Sequence, residues 1–363
     1  MLCKYIRKSL RIITYRTKNK PSPQFGERKA IPMHTGSILA TFPPGVDYNN
    51  KQFFGYLTLY NSTLSSFSNI INWTNYTNIV TEFDQWDPSL LTELIEYSHQ
   101  RGVAVHHMHA LGCSSGSSFC NDYFANSQYI YDIDYMAKMG GDGFHMDIEG
   151  SFDYDTYKEE WTKEAFGYLK SKNNNYIGSL AVGCYSPEHY NSDYADFFIL
   201  MCYDMGWGSN PLAPNSPIAT VRARVEEWKP FVNHLGKIII GLPIYGYFAD
   251  CVNMDYGLFG TTCHIDGENG NNSTGISGIY QLENQYSYVS YQTLPTGEPF
   301  ANVVTDTETW SIRQYQYDTP ASLYAKTVSM GVGGTAIWRL DFFIGLQTTK
   351  LNSFYVALSP NNL

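Results

Sequence analysis

The chain has 363 residues, of which 43% are hydrophobic and 16% are charged. It is therefore too apolar for a disordered chain and long enough for one large α/β barrel or two smaller domains. A formal net charge of −10 excludes nucleic acid as a partner, because binding to phosphates needs a basic surface. Aromatic residues make up 16% of the chain, which fits a protein that stacks sugar rings and fits equally a bias of composition in its lineage.

Residues 1–50 combine many Lys and Arg residues with several prolines. This composition predicts an extended, poorly ordered leader ahead of a catalytic unit at residues 51–363. No apolar run in the leader is long enough for a signal peptide or a membrane span. We expect either that the native start precedes this sequence or that the protein is not secreted, and we favour the first.

Beyond the leader, short apolar β-prone runs alternate with helical runs, as in a sheet with crossover helices. The predicted strands are Phe53–Tyr60, Asn78–Phe83, Val103–Met108, Gly143–Glu149, Ile177–Cys184, Phe197–Tyr203, Lys237–Pro243 and Gly334–Leu340. The predicted helices are Pro88–Gln100, Tyr129–Met139, Tyr157–Lys170, Ile218–Asn233 and Pro320–Met330. Eight such strands predict an α/β fold, the (β/α)8 TIM barrel. The alternative, an open doubly wound sheet, needs a Gly-rich turn after its first strand, and none follows it here.

Residues 246–319 break this alternation between the seventh and eighth predicted strands. The stretch is rich in Gly, Asn and Tyr and contains only short strand-like pieces, at Tyr286–Tyr291 and Thr309–Gln316. A loop of that length without structure of its own is uncommon. We therefore predict a small insertion on the catalytic rim of the barrel.

The octapeptide at residues 142–149, Asp-Gly-Phe-His-Met-Asp-Ile-Glu, is the most informative part of the chain. Alternate residues of a strand point the same way, so His145, Asp147 and Glu149 share one face. Helical patterns on both sides of this strand predict a parallel sheet that is buried on both faces. Two carboxylates and an imidazole inside such a sheet are costly unless they are paired and used. The strand is therefore predicted to be catalytic.

Further reactive side chains stand where other predicted strands end, which is where an α/β barrel places its active site. They are Tyr203 and Asp204 after the sixth strand, Tyr245 after the seventh and Trp338 near the end of the eighth. We expect them to meet Glu149 at one mouth of the barrel.

These motifs resemble the signatures of the family-18 glycoside hydrolases, the chitinase family. Residues 142–149 match the Asp-x-x-Asp-x-Asp-x-Glu signature of the fourth barrel strand, except that His145 stands at a position where members have Asp or Asn. Residues 201–204 match the Met-x-Tyr-Asp signature of the sixth strand, and Trp338 matches the aromatic floor on the eighth. The resemblance covers about residues 52–345. It is strongest to the di-N-acetylchitobiase branch, on residues 241–247, 316–320 and 338–341.

The resemblance implies a retaining hydrolase of β-1,4-linked N-acetylglucosamine, in chito-oligosaccharides or in the chitobiose core of N-glycans. The substrate's own acetamide oxygen would attack the anomeric carbon. Glu149 would protonate the leaving oxygen, Asp147 would hold the acetamide N–H and raise the pKa of Glu149, and Tyr203 would aim the acetamide oxygen. The other matching positions are expected to bind substrate (Asp204, Trp338, Met201, Tyr245 and His145) or to be structural parts of the motif (Asp142 and Gly143).

Two alternatives are open for His145. A neutral imidazole would replace the hydrogen bond that an Asp at this position gives to Asp147, whereas a protonated one would hold Asp147 as an anion and lower its pKa.

Other functions are an endo-acting chitinase or a catalytically inactive lectin that binds chitin or oligosaccharides. We expect a monomer that needs no cofactor and no metal. His106, His107 and His109 do not indicate a metal site, because neighbouring strand residues point to opposite faces.

The seven cysteines show no Cys-x-x-Cys zinc pattern. Two close pairs, Cys113 with Cys120 and Cys251 with Cys263, are candidates for disulfides, with free thiols as the alternative. Together with N-glycosylation sequons these pairs favour a secreted or lysosomal glycoprotein. The sequons begin at Asn61, Asn72, Asn75, Asn271 and Asn272.

Overall fold

Eight parallel strands close into a barrel, and the predicted (β/α)8 fold is confirmed. The structure is a computed structural model that describes residues 46–59, 71–113, 119–150, 155–185, 187, 193–254, 257–265, 272–328 and 330–359. The predicted leader therefore lies almost wholly outside the described residues. The barrel strands are Gln52–Tyr56 (β1), Asn78–Thr81 (β2), Ala104–Cys113 (β3), Gly143–Gly150 (β4), Ile177–Gly183 (β5), Phe197–Met201 (β6), Ile238–Pro243 (β7) and Gly334–Trp338 (β14). Around the barrel they follow the order β1-β14-β7-β6-β5-β4-β3-β2.

The barrel strands are apolar on both faces because each face packs against protein. All six residues of β7 are buried, for example. Alternate side chains fill the barrel interior, where Phe54, Phe197 and Ile239 are all less than 2% exposed. The opposite face of each strand packs against the surrounding helices. Tyr56, at the end of β1, lies on the interior face and so close to the mouth.

Seven helices of the described residues surround the barrel, and five of them correspond to the predicted helices. They are Pro88–His99 (α1), Phe119–Ala125 (α2), Gln128–Met139 (α3), Asp155–Lys172 (α4), Ile218–Trp228 (α5), Pro320–Val328 (α8) and Thr348–Leu358 (α9). Asp87 caps α1 by accepting hydrogen bonds from the backbone N–H groups of Ser89 and Leu90. Helix α5 ends at Trp228 rather than at the predicted Asn233, because Pro230 has no N–H to continue the helix and lies in a separate 3₁₀ turn. Neither α2 nor α9 was predicted.

The predicted insertion between β7 and β14 is a six-stranded antiparallel sheet with two short helices. Its strands are Tyr245–Met254 (β8), Cys263–Ile265 (β9), Asn272–Gly275 (β10), Val289–Thr293 (β11), Pro299–Asp306 (β12) and Ser311–Gln316 (β13), and its helices are Ile276–Ile279 (α6) and Leu282–Gln285 (α7). The insertion starts beside the mouth, since the N–H of Ile244 donates to the carbonyl of Trp338 at the end of β14. β8 therefore carries Tyr245 and Tyr247 from the barrel rim into the new sheet.

Among the described residues, two disulfides link the ends of strands. Cys251–Cys263 joins β8 to β9 and confirms one predicted pair. Cys184–Cys202 was not predicted, and it links the residues just after β5 and β6. The side chains of the other predicted pair, Cys113 and Cys120, lie outside the described residues. Within the described parts of the chain, no helix is long and apolar enough to cross a membrane.

Candidate active site

Strand β4 turns three polar side chains into the barrel. His145 and Asp147 are 0% and 7% exposed, and Glu149, at the carboxyl end of the strand, opens into the mouth. The intervening Phe144 and Met146 face outward and are buried in the core against the helices. The strand therefore places an imidazole, a carboxyl group and a second carboxyl group at increasing height on the inner wall.

The two carboxyl groups of β4 hold their protons more tightly than isolated acids do. Burial raises the pKa of Asp147 well above its usual value, and the nearby charges of Glu149 and Glu82 raise it further. The pKa of Glu149 is also raised, first by desolvation, because the barrel wall surrounds the carboxyl even though it faces the mouth, and then by Asp204. The sequence predicts that Asp147 raises the pKa of Glu149. Two neighbouring carboxylates repel each other, and this repulsion raises a pKa within the pair, while burial and then the charge of Asp204 raise the pKa of Glu149.

Asp147 carries an orphaned acceptor. Its Oδ1 atom is buried and has no hydrogen-bond partner among the described residues. Such a group costs free energy unless a donor reaches it. A ligand with an N–H group at this depth of the mouth would supply that donor.

His145 takes its hydrogen bonds from residues other than Asp147. Nε2 of His145 lies 3.0 Å from the hydroxyl of Tyr56, and its Nδ1 lies 2.9 Å from Oγ of Ser179. Both nitrogens are thus in use, one as donor and one as acceptor. Burial, and next the neighbouring His106, lower the pKa of His145 to about 3. The structure therefore favours the neutral alternative, and the fully buried ring, whose two nitrogens bond to Tyr56 and Ser179, does not favour substrate binding by His145.

The loop after β6 brings a phenol and a carboxylate to the mouth. Tyr203 is half-buried, and burial raises its pKa well above the usual value. Asp204 has a left-handed backbone conformation (φ 62°), and its N–H donates to Oδ1 of Asn215 at 2.7 Å. The Asp204 carboxylate accepts hydrogen bonds from the hydroxyls of both Tyr245 and Tyr247. Burial raises the pKa of Asp204, and these two hydrogen bonds oppose the rise.

Trp338 lies at the end of β14 and is half-buried at the base of the mouth. Its ring makes an edge-on contact with Tyr56, with centroids 5.1 Å apart. Met201, at the end of β6, is also half-buried. The structure thus brings together Glu149, Asp147, Tyr203, Asp204, Tyr245 and Trp338, as the motifs predicted.

Sequence reasoning missed three contributors to this arrangement. Tyr56 links Trp338 to His145, and its signal was its position at the end of the first barrel strand. Tyr247 shares the Asp204 carboxylate with Tyr245, and the spacing of two on β8 places both on one face. Asn215 lies in a loop and has no local pattern that identifies it.

Asp142 and Gly143 lie at the opposite end of β4 from the mouth. Oδ2 of Asp142 accepts from the N–H of Val105 at 2.7 Å and lies 2.8 Å from Nε2 of His99. A Cβ on Gly143 would come within 2.6 Å of the carbonyl oxygen of Ile177, so no side chain fits there. Both residues position β4 against its neighbours rather than contacting a ligand.

The histidines of β3 lie on two faces. His106 is inside the barrel and His107 and His109 are outside it, in register with residues of β4 that alternate in the same way. Burial lowers the pKa of His107 to about 4, and Nδ1 of His109 lies 2.9 Å from Oδ2 of Asp132. In the described part of the chain, no three His, Cys, Asp or Glu side chains are placed to hold a metal.

The sequence pattern of the glycosyl hydrolases family 18 matches residues 52–342, from the first barrel strand to just beyond the last. The chain belongs to this family. It is thus a glycoside hydrolase, and the matched region contains every mouth residue described above.

Comparisons with individual proteins agree with this assignment. A probable di-N-acetylchitobiase 1 of Dictyostelium discoideum is 23% identical over 371 residues, covering 92% of this chain and 91% of that protein. The C-terminal domain of a putative chitinase from Desulfitobacterium hafniense has a TM-score of 0.66 at 19% identity and covers 87% of this chain and 100% of that one. A chitinase from Rhizomucor miehei has a TM-score of 0.66 at 17% identity, over 85% of this chain and 100% of that one. At these identities the likeness to solved structures shows the fold.

Proposed function

We propose that this chain hydrolyses β-1,4 linkages of N-acetylglucosamine with retention of configuration and with the substrate's acetamide as nucleophile. The observation that carries the proposal is the pair on β4. Glu149 opens into the mouth with a raised pKa, and Asp147 lies beneath it with an unpartnered carboxyl oxygen. Family 18 is one of the recognised exceptions to hydrolysis by an acid and a separate carboxylate nucleophile.

In the first step the sugar acetamide attacks its own anomeric carbon. Glu149 is a suitable acid because its raised pKa keeps the proton available towards neutral pH. It gives this proton to the glycosidic oxygen as the bond from that oxygen to the anomeric carbon breaks. The acetamide oxygen forms a new bond to that carbon, and the leaving sugar departs as an alcohol.

Asp147 and Tyr203 would hold the acetamide during this step. The acetamide N–H would donate to Oδ1 of Asp147, which otherwise lacks a partner. The hydroxyl of Tyr203 would donate to the acetamide oxygen and fix its direction. Because the ring that forms carries positive charge, a carboxyl oxygen in a low-dielectric site stabilises it.

In the second step water opens the intermediate. The Glu149 carboxylate takes a proton from the water, whose oxygen bonds to the anomeric carbon as the acetamide oxygen leaves. Two displacements at one carbon restore the original configuration, and Glu149 ends protonated as it began. Trp338 would provide the apolar floor for the sugar ring. Burial is the larger cause of the raised pKa of Glu149, and the charge of Asp204, which Tyr245 and Tyr247 position, would add to it.

Within the family we propose a chitobiase-like action on the chitobiose core of N-glycans or on chito-oligosaccharides. The curated relative named a probable di-N-acetylchitobiase supports this choice, since it matches over nearly the whole of both chains. We further propose a monomer in a secreted or lysosomal setting, which suits the two disulfides among the described residues. Its catalytic unit would comprise residues 51–363, with residues 1–50 as a leader.

The test is hydrolysis of a fluorogenic chitobioside by the parent protein and by Glu149→Gln. We expect the variant to lose at least about 10³-fold in kcat, because general acid and base catalysis are both removed. Glu96→Gln, which changes an exposed glutamate on α1, is the matched control and should retain full activity. If the parent protein bound chitobiose without hydrolysing it, the result would favour a lectin over an enzyme.

The anomer of the first product and the cleaved position refine the proposal. Proton NMR should detect the β-anomer before mutarotation, and an α-anomer would exclude retention. Release of single sugars from the reducing end favours the chitobiase-like action, whereas internal cleavage favours a chitinase. A cellobioside that lacks the acetamide should not be cleaved, and equal cleavage would refute the substrate-assisted step.

A further inference from the structure

A second cavity lies outside the mouth, between the insertion and helix α9. Its volume is about 620 Å³, within the range of small-molecule sites. The residues that line it come from α6, α7 and β11 of the insertion and from the segments next to α8 and α9. We call it the outer cavity and define it by Tyr280, Gln281, Tyr291, Tyr317, Gln347 and Lys350. None of these residues belongs to the mouth.

Tyr317 is the main polar group of the outer cavity. Its side chain is 7% exposed, and it lines the cavity. Burial, and then the hydroxyls of Tyr280 and Tyr291, raise its pKa above the usual value. Burial and Tyr291 likewise raise the pKa of Tyr280 to about 12. The three phenols are therefore close together at the cavity.

The walls combine flat rings with neutral hydrogen-bonding groups. The ring of Tyr291 is 43% exposed and available for stacking, and Tyr280 is held against α9 by an edge-on contact with Phe354. Gln281 closes one side, since its amide donates to the carbonyl of Gly345 at 3.3 Å. The lining contains one acidic side chain, Glu283, and one basic side chain, Lys350, which lies 5.1 Å from the centre of the Tyr280 ring.

We propose that the outer cavity binds a neutral carbohydrate of one or two sugar rings. The apolar C–H face of a sugar fits an aromatic ring, whose face is electron-rich. Its hydroxyls match phenols and amides that both donate and accept. The balance of one acidic and one basic group disfavours a charged ligand. The outer cavity and the mouth share no residue, so binding in the cavity is independent of the proposed reaction.

The experiment is ligand-observed NMR titration of the full chain with N,N'-diacetylchitobiose, in the Glu149→Gln background so that the probe is not consumed. We expect two binding events. Tyr291→Ala should weaken one of them about tenfold, since a stacked ring and its contacts are lost. Tyr317→Phe, which removes only the hydroxyl, should weaken the same event by several-fold. Tyr324→Ala, which removes an exposed tyrosine of α8 elsewhere, is the control and should weaken neither.

The two binding events can be weakened independently of each other. Trp338→Ala should weaken only the mouth event, so loss of that event alone leaves the outer cavity intact. A titration that Tyr291→Ala and Tyr317→Phe both leave unchanged overturns the proposal. Displacement of the sugar by an equal concentration of glycerol would also overturn it, because the cavity would then bind any polyol.

Discussion

Replacing His145 with Asn tests whether this histidine is a neutral support beneath the carboxyl pair. The ring is fully buried and bridges Tyr56 and Ser179. The shorter Asn side chain can reach one of these two partners, and the other is left as a buried unsatisfied hydroxyl. At pH 7.5 we expect a loss of about 2–4 kcal/mol in the free energy of unfolding, from the orphaned group and the small void together. Turnover should persist within about tenfold, because the fully buried ring bonds to Tyr56 and Ser179 rather than to the carboxyl pair.

The pH dependence of this loss is the sharper measurement. The pKa of His145 falls from 6.5 in the unfolded chain to about 3 in the folded protein. The folded state therefore excludes a proton that the unfolded chain takes up, so the contribution of His145 to stability is full above pH 6.5 and declines as the pH falls towards 3. Each pH unit in that interval removes about 1.4 kcal/mol from the parent protein and nothing from the variant. The difference between them should shrink by about 2–3 kcal/mol between pH 7.5 and pH 4.5.

Urea unfolding of both proteins at the two pH values measures this difference. His264→Asn, at an exposed position of β9, is the control for removal of a histidine, and its difference from the parent should be the same at both. An equal loss for His145→Asn at pH 7.5 and pH 4.5 would show that His145 is not held neutral. Complete loss of turnover in a folded variant would refute its supporting role.

Two further predictions concern the loop after β6. Asp204→Asn should move the high-pH limb of kcat to lower pH. Asp204 helps to raise the pKa of Glu149, so without its charge Glu149 would lose its proton at a lower pH. A pH–rate profile of the chitobioside reaction measures this shift, and an unmoved limb would contradict the assigned cause. Replacing Cys184 and Cys202 together with Ala should lower the free energy of unfolding by about 3 kcal/mol, the loop-closure value for a separation of 18 residues; removal of the other disulfide is the comparison, and an unchanged urea midpoint would contradict the prediction.

The barrel was predictable because its strands are local apolar runs between helices. Strand β7, for example, is a buried run that ends in Pro243, and its observed bounds differ from the predicted ones by a single residue at the start. Helix α9 was missed although Leu351, Phe354 and Leu358 have helical spacing and are buried. The insertion sheet is different in kind. β8 pairs with β13, in which Ile312 lies opposite Cys251, and no local pattern predicts pairing across so many intervening residues.

The residues that form the mouth were predictable from the sequence, but the hydrogen bonds that support them were not. Glu149, Tyr203 and Trp338 were predicted from their places at strand ends. The partners of His145 come from β1 and β5, which are separate in sequence, so the pattern of β4 could not reveal them. The Cys184–Cys202 disulfide had a usable signal, because residues at corresponding ends of consecutive barrel strands are neighbours.

The hydrogen bonds below the mouth explain why Asp147 destabilises the free protein and can still serve catalysis. Both ring nitrogens of His145 form hydrogen bonds with Tyr56 and Ser179, so Asp147 keeps an unpartnered oxygen and a raised pKa. An acid with a raised pKa in the folded state favours folding while both states are protonated, and that contribution is lost as the pH rises above the unfolded pKa. Asp147→Asn resembles the protonated acid in shape and cannot ionise. We therefore expect its stability relative to the parent to increase from pH 4 to pH 7, measured by urea unfolding.

The same variant should lose activity. Its side chain has no charge to offer the positive ring that forms from the acetamide, and we expect kcat on the chitobioside to fall by about 10²-fold or more. A variant that is less stable than the parent at pH 7 would show that Asp147 is satisfied in the free protein. A variant that is more stable and equally active would show that the unpartnered oxygen of Asp147 has no role in catalysis. Gain of stability together with loss of turnover is the combination that an acceptor reserved for substrate requires, because the interaction it lacks in the free protein is the one it makes in the transition state.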